Sequence, residues 1–111
     1  MLFCIMADYT PQALNAMREN PNTNRREAAE KLVEAAGGKV IAMYGTVRNG
    51  PGAMLIFDVA DPSMAPPIAG VIRSTGAVEN LQMMRLATME EVAQFRQNAA
   101  KIRAAYRPPG Q

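Results

Sequence analysis

The spacing of hydrophobic residues changes several times along the chain, and these changes predict the order of strands and helices. Apolar runs of strand length occur at 2–9, 39–47, 52–59 and 78–86. Stretches with apolar residues three or four positions apart follow the first, third and fourth of these runs. The predicted order is therefore β-α-β-β-α-β, followed by an extra C-terminal helix from about residue 88.

Polar and turn-forming residues mark the ends of these elements. Thr10-Pro11 supplies an N-cap and a proline at the first helical position, and Gly37-Gly38 is a signal that ends a helix. Asn49-Gly50 is typical of a hairpin turn between two strands. A capping box, Thr88 to Glu91, opens the last helix. We predict that this helix continues to about Tyr106.

A single domain over residues 1–106 with a flexible tail at 107–111 accommodates all of these elements. Right-handed crossovers convert the predicted order into an α+β, ferredoxin-like fold with the first and third strands in the centre of the sheet. Both alternating sets of side chains in these strands are apolar, so both faces of the sheet need cover. Because two helices cover one face only, the other face must meet the C-terminal helix or a second subunit. We favour the second subunit and expect a homodimer or higher homo-oligomer with facing sheets, a dimeric α+β barrel.

Two segments resemble the GYD-domain family of small bacterial proteins. They are the run RREAAEKLVEAAGGK at 25–39, followed by the strand that carries Tyr44, and the first strand with its ending Tyr9-Thr10-Pro11. The similarity extends from about residue 2 to residue 92. It implies a dimeric α+β barrel rather than a particular activity. The Gly-Tyr-Asp step of the family falls where this chain has Gly50-Pro51-Gly52-Ala53, so no functional residue is transferred.

Composition excludes several kinds of chemistry. The chain has no histidine and a single cysteine, which removes Ser-His-Asp and Cys-His nucleophiles, histidine-based metal sites and internal disulfides. Its net charge is +2, but residues 92–111 hold four basic residues and no acid. We interpret this end as a solvated helical face and do not expect a nucleic-acid partner. The apolar start is interrupted by Asp8, so we expect no membrane partner and a cytoplasmic protein.

One alternating set of strand side chains mixes sulfur, hydroxyl and charge, and this set is our candidate ligand site. Arg48 and Arg85 can receive a small anionic or carboxylate ligand in the space between two facing sheets. The alternative is that the sulfur side chains fill a core while the charged ones lie in water. The candidate residues are Cys4, Met6, Asp8, Tyr44, Arg48, Met54, Asp58, Met83 and Arg85.

Two further hypotheses concern metal binding and catalysis. Cys4, Met6, Met54 and Met83 are soft ligands of the kind that select Cu(I), although methionines at irregular spacing are more typical of packing. A carboxylate in an apolar cavity can act as an acid or base, and Asp8 and Asp58 are the candidates. We assign no catalytic residue, no metal and no cofactor.

The last helix carries an apolar stripe that the minimal β-α-β-β-α-β unit does not need. We predict that this stripe is an oligomer interface. The favoured function is a non-catalytic ligand-binding or protein-interaction module that acts as a homo-oligomer. The alternative is a cofactor-free enzyme, isomerase-like or monooxygenase-like, that uses a carboxylate or tyrosine and an arginine. The stripe consists of Val92, Phe95, Ala99, Ile102 and Tyr106.

Overall fold

A computed structural model describes all 111 residues and contains four strands and four α-helices. Short 3-10 turns precede the third helix, at Pro62–Met64, and follow the fourth, at Arg103–Ala105. In chain order the elements are β1 (Leu2–Tyr9), α1 (Pro11–Glu19), α2 (Arg25–Ala35), β2 (Gly38–Val47), β3 (Pro51–Val59), α3 (Ala65–Ser74), β4 (Val78–Leu86) and α4 (Met89–Ile102).

The four strands form one sheet in the order β2-β3-β1-β4, and every neighbouring pair is antiparallel. The two central strands are therefore β1 and β3, as the double-sided apolar pattern predicts. Each half of the chain contributes one crossover from a central strand through helices to an edge strand. This is the α+β, ferredoxin-like fold expected from the order of elements.

Helices cover one side of the sheet, which we call the helix-covered face. The rings of Phe3 and Phe57 stack there with centroids 5.8 Å apart, and Phe57 is completely buried. Val33 of α2 and Ile68 of α3 lie against these strands and are also buried. The buried cluster is Phe3, Ile5, Val33, Leu55, Phe57, Val59, Ala65, Ile68 and Ala69.

The helical connection between β1 and β2 is broken into two pieces on either side of Asn20-Pro21-Asn22. The Thr10 side chain caps α1, and the Asn24 side chain caps α2 by accepting from the Glu27 amide. None of the residues of α1 is buried, whereas α2 buries Val33. The second piece therefore supplies the packing in this crossover.

A bulge in β4 determines which of its side chains point to which face. Met6 pairs with Gln82 but Asp8 pairs with Glu79, so β4 has one more residue than β1 in this interval. Asn80 has a φ of 54° in the same interval, a left-handed conformation that asparagine tolerates better than most residues. Side chains on either side of the bulge therefore follow different alternation patterns.

The prediction that Met83 and Arg85 share a face with Cys4 and Met6 is wrong. Met83 lies opposite Ile5, and Arg85 lies opposite Phe3, so both belong to the helix-covered face. Met83 packs against the buried cluster there. The register of β4 with β1 places Met84, opposite Cys4, on the other face of the sheet. No local pattern in β4 reveals this register.

The fourth helix extends away from the sheet. It ends at Ile102, earlier than the predicted Tyr106, which is in extended backbone after the 3-10 turn. No residue of α4 is buried, and every residue from Gln94 onward is exposed. The chain measures 59 × 34 × 22 Å with a radius of gyration of 17.9 Å, against about 13 Å for a compact domain of this size. None of the helices combines the length and apolar composition of a membrane span.

Candidate functional site

The side of the sheet opposite the helices, which we call the open face, carries most of the predicted site residues. The pairing registers place Cys4 opposite Ile56 and Met84, and Met54 opposite Met6 and Tyr44. Arg48 follows β2 and reaches the end of this face. The registers place on the open face the side chains of Leu2, Cys4, Met6, Asp8, Lys39, Ala42, Tyr44, Thr46, Met54, Ile56, Asp58, Glu79, Gln82, Met84 and Leu86.

Cys4 lies in the middle of the open face and is only 5% exposed. The larger side chains of Ile56 and Met84 flank it on the two neighbouring strands. Burial raises the pKa of the Cys4 thiol, so the thiol stays protonated near neutral pH. Since the thiolate is the reactive form, Cys4 acts here as a small apolar side chain.

The four residues predicted as a Cu(I) set are not brought together. Cys4, Met6 and Met54 share the open face, but Met83 is on the opposite face of the sheet. Met84 takes its place beside Cys4. No group of three or more His, Cys, Asp or Glu side chains converges in the structure. The apolar side chains of Leu2 and Ile56 lie on the same face as these sulfur atoms.

A polar cluster lies at one end of the open face. Asp8 accepts a hydrogen bond from Arg48 at 3.1 Å and another from the Asn80 side-chain amide at 3.3 Å. These hydrogen bonds, that of Asn80 first and that of Arg48 second, lower the pKa of the Asp8 carboxyl. A carboxyl with a lowered pKa is a poor general acid or base near neutrality. The cluster is therefore suited to charge pairing and binding rather than to proton transfer.

Two small residues lie next to this cluster: Thr46, which strand alternation places on the mixed face, and Gly52, which was not predicted as a site residue. The Thr46 hydroxyl is buried and has no hydrogen-bond partner in the chain. Gly52 lies opposite it, and a Cβ there would be 2.4 Å from the Ala7 carbonyl oxygen and 2.6 Å from the Thr46 hydroxyl. Glycine is thus required for the strands to approach closely at this point. A glycine inside a strand was the available sequence signal.

The other end of the open face holds a second charged pair. The amino group of Met1 is 2.6 Å from the Asp58 carboxylate, and this hydrogen bond is the main cause that lowers the pKa of Asp58. Asp58 lies opposite Leu2, whereas Gly52 lies opposite Asp8. The two aspartates are therefore about 20 Å apart at the rise of a β-strand. The structure does not bring them into one catalytic site.

Arg85 lies away from the other predicted site residues and contacts α4. Its guanidinium forms an ion pair with Glu91 and lies 5.6 Å from the centre of the Phe95 ring. Glu91 also completes the capping box with Thr88. Arg85 therefore fixes the start of α4 to the edge strand β4. Val92 is half-buried at this attachment, while Phe95, Ala99, Ile102 and Tyr106 are exposed.

Comparisons with known proteins agree with this architecture. The 30S ribosomal protein S6 from Thermotoga maritima is 18% identical and superposes with a TM-score of 0.54 over 86% of this chain and 96% of its own. At this identity the likeness shows the fold alone. No curated protein sequence matches the chain. The family model described as the GYD domain matches residues 3–95, which is most of the chain. The chain therefore belongs to the GYD-domain family.

Proposed function

We propose that this protein is a non-catalytic, homo-oligomeric module whose basic unit is a dimer joined through the open faces of two copies. One observation carries the proposal: no helix of the chain covers the open face, although its central side chains are apolar. Met6, Met54 and Ile56 are half-buried, and Met84 is 43% exposed. A contiguous apolar patch of this kind on a small domain is typical of an interaction surface.

A second copy of the chain is the occupant that the surface fits best. In a twofold pair the two apolar centres cover each other, and the charged ends of each sheet stay at the rim. Methionine side chains are unbranched and adapt to irregular gaps, which favours the packing of one sheet on another. The Asp8–Arg48 pair and the Asp58 end would then lie at opposite edges of the interface, where water solvates them.

The apolar stripe of α4 supplies a second contact in this proposal. Phe95 is 46% exposed beside the Arg85 guanidinium, and Ile102 (70%) and Tyr106 (72%) are exposed further along the stripe. A helix attached at its first turn and otherwise exposed is suited to reach a neighbouring copy. We therefore infer that α4 contributes to assembly more than to the folding of its own domain.

The ligand of such a module would bind at the rim of the paired sheets. Tyr44 is 63% exposed at an edge of the open face, and Arg48 has N–H donors beyond the one that Asp8 uses. These donors are suited to a small anionic or carboxylate ligand. The ionised and widely separated Asp8 and Asp58 support binding rather than catalysis.

Sedimentation equilibrium of the native chain tests the proposed assembly. We expect a mass of at least two chains at micromolar concentration, and dissociation only on strong dilution. A stable monomer at micromolar concentration would overturn the proposal. Native mass spectrometry of the same sample tests for a retained ligand: we expect a small mass increment that denaturation removes.

A further inference from the structure

A cavity lies on the helix-covered face, between α2, α3 and the sheet. Its volume is about 160 Å³, and 13 of its 15 lining residues are hydrophobic. We call it the helix-side pocket. Its apolar walls include Ile5, Leu32, Met43, Leu55, Ile72 and Val78. The sheet separates it from the open face, so it has no part in the dimer contact proposed above.

The pocket exists because small side chains stand at positions that face it. Ala28 and Ala29 of α2 lie on one side, and Ala7 and Ala53 form part of the sheet beneath. Val71 of α3 also lines the pocket and is 50% exposed, so the chain does not close it completely. An apolar cavity of about 150 Å³ lined by Leu, Ile and Phe is large enough for a benzene molecule. The helix-side pocket is of the same size.

Three of the lining side chains carry polar atoms, and one of them, Thr75, already donates its hydroxyl to the Ile72 carbonyl oxygen. Arg25, the first residue of α2, and Tyr9, the last residue of β1, line the pocket and also two neighbouring surface depressions. Arg26 forms an ion pair with Glu30 at 2.8 Å, but Arg25 has no acidic partner in the chain. The N-terminal end of a helix also favours negative charge. The edge of the pocket is therefore complementary to an anion.

We propose that the helix-side pocket binds a small carboxylic acid with a benzene-sized apolar body. The apolar body lies among the aliphatic side chains, and the carboxylate accepts hydrogen bonds from Arg25 and from the Tyr9 hydroxyl. A neutral molecule of the same shape gains only the apolar contact. The proposal goes beyond the assembly function, because it concerns the opposite face of the sheet and holds for one copy as for two.

Methyl NMR titration of the full-length chain with phenylacetate and with phenethyl alcohol tests this proposal. We expect saturable shifts of the Leu32, Met43 and Ile72 methyl signals. The acid should bind about tenfold more tightly than the alcohol, which corresponds to about 1.4 kcal/mol. Arg25→Gln should reduce acid binding to the level of the alcohol. Arg26→Gln, at the neighbouring paired position, should leave the ratio unchanged.

Other outcomes overturn the proposal. Equal affinity for acid and alcohol in the native chain would exclude a role for Arg25. Ala29→Leu fills the pocket and should abolish the shifts, so persistent binding would place the probe elsewhere. Phe95→Asp is designed to detach α4 from a neighbouring copy. If the probes bind only to this variant, the α4 helix of the partner copy occupies the helix-side pocket in the native protein. Met54→Asp is designed to separate the copies, and this variant should still bind the acid. If a folded Met54→Asp monomer does not bind the acid, the pocket depends on assembly.

Discussion

Met54→Asp is the substitution that most directly tests whether two open faces pack together. Met54 lies in the central strand β3 between Met6 on one neighbour and Tyr44 on the other. Its side chain is half-buried in the single chain, and no helix covers it. A carboxylate at this position therefore reaches water in an isolated copy but is enclosed when a second sheet covers the face. The change should affect assembly far more than folding.

The expected magnitude follows from the twofold relation between copies. Each dimer would enclose two carboxylates, and burying a polar or charged group without a partner costs at least about 2 kcal/mol. The total of about 4 kcal/mol corresponds to a roughly thousandfold weaker dimer. A dimer with a Kd of about 1 nM would then have a Kd of about 1 µM, so about half of the chains would be monomeric at about 1 µM and most of them below about 0.1 µM.

Light scattering after size exclusion, with far-UV circular dichroism of the same fractions, measures both quantities. We expect Met54→Asp to stay folded and its average mass to fall toward half the native mass as the eluting concentration drops below about 1 µM, whereas the native chain keeps its mass. Val47→Asp is the control, because Val47 is 93% exposed and does not belong to the open face. Met84→Asp, at a more exposed position of the open face, should repeat the effect. An unchanged mass in both open-face variants would refute the reasoning, since it would show that this face is solvated in the assembled protein.

Three further predictions concern other parts of the molecule. Phe57→Ala should lower the free energy of unfolding by about 3–5 kcal/mol in denaturant titrations, because the Phe57 ring is completely buried; an effect below about 1 kcal/mol would contradict the described core. The pKa of the Asp8 carboxyl is lower in the folded chain than in the unfolded chain, where it is about 3.9. The ionised carboxyl therefore contributes its full share to the free energy of unfolding above about pH 3.9, and this share is lost as the pH falls through the lower pKa of the folded chain. Asp8→Asn should therefore flatten the acid side of the stability profile, and an unaltered profile would show that the Arg48 and Asn80 contacts are not maintained in solution. Ile102→Asp should weaken assembly but leave the melting temperature of the monomer unchanged. The control, Gln97→Asp on the same helix, should change neither the assembly nor the melting temperature. If the two variants have equal masses, α4 is excluded from the interface.

The order of elements and the strand order could be predicted from the sequence because they depend on local signals. The capping box from Thr88 to Glu91 and the hairpin at Asn49-Gly50 each need only a few neighbouring residues. The double-sided apolar pattern of β1 and β3 was sufficient to place these strands in the centre of the sheet. Each of these features is decided within one turn or one strand, so tertiary contacts do not override them.

The face of the β4 side chains could not be predicted in the same way. Met83 and Met84 are adjacent and chemically identical, so only the register with β1 decides which one faces the helices. The bulge at Asn80 shifts the alternation within the strand. The contact of Asp8 with Asn80 also depends on this pairing, since the two residues are 72 positions apart. Long-range register therefore determines both the corrected site residues and the polar cluster.

The helix-side pocket shows a further limit of the same kind. The alanines at 28 and 29 have the spacing of core positions, and the structure indeed places them toward the sheet side of α2. Whether such positions close a core depends on the volumes of the facing side chains, here Ala7 and Ala53 from two different strands. Periodicity reports which side of a helix is apolar but not how much space remains beneath it. The open face and the helix-side pocket therefore arise from the same cause. On both faces of the sheet, the chain presents apolar side chains that its own helices and strands do not fully cover.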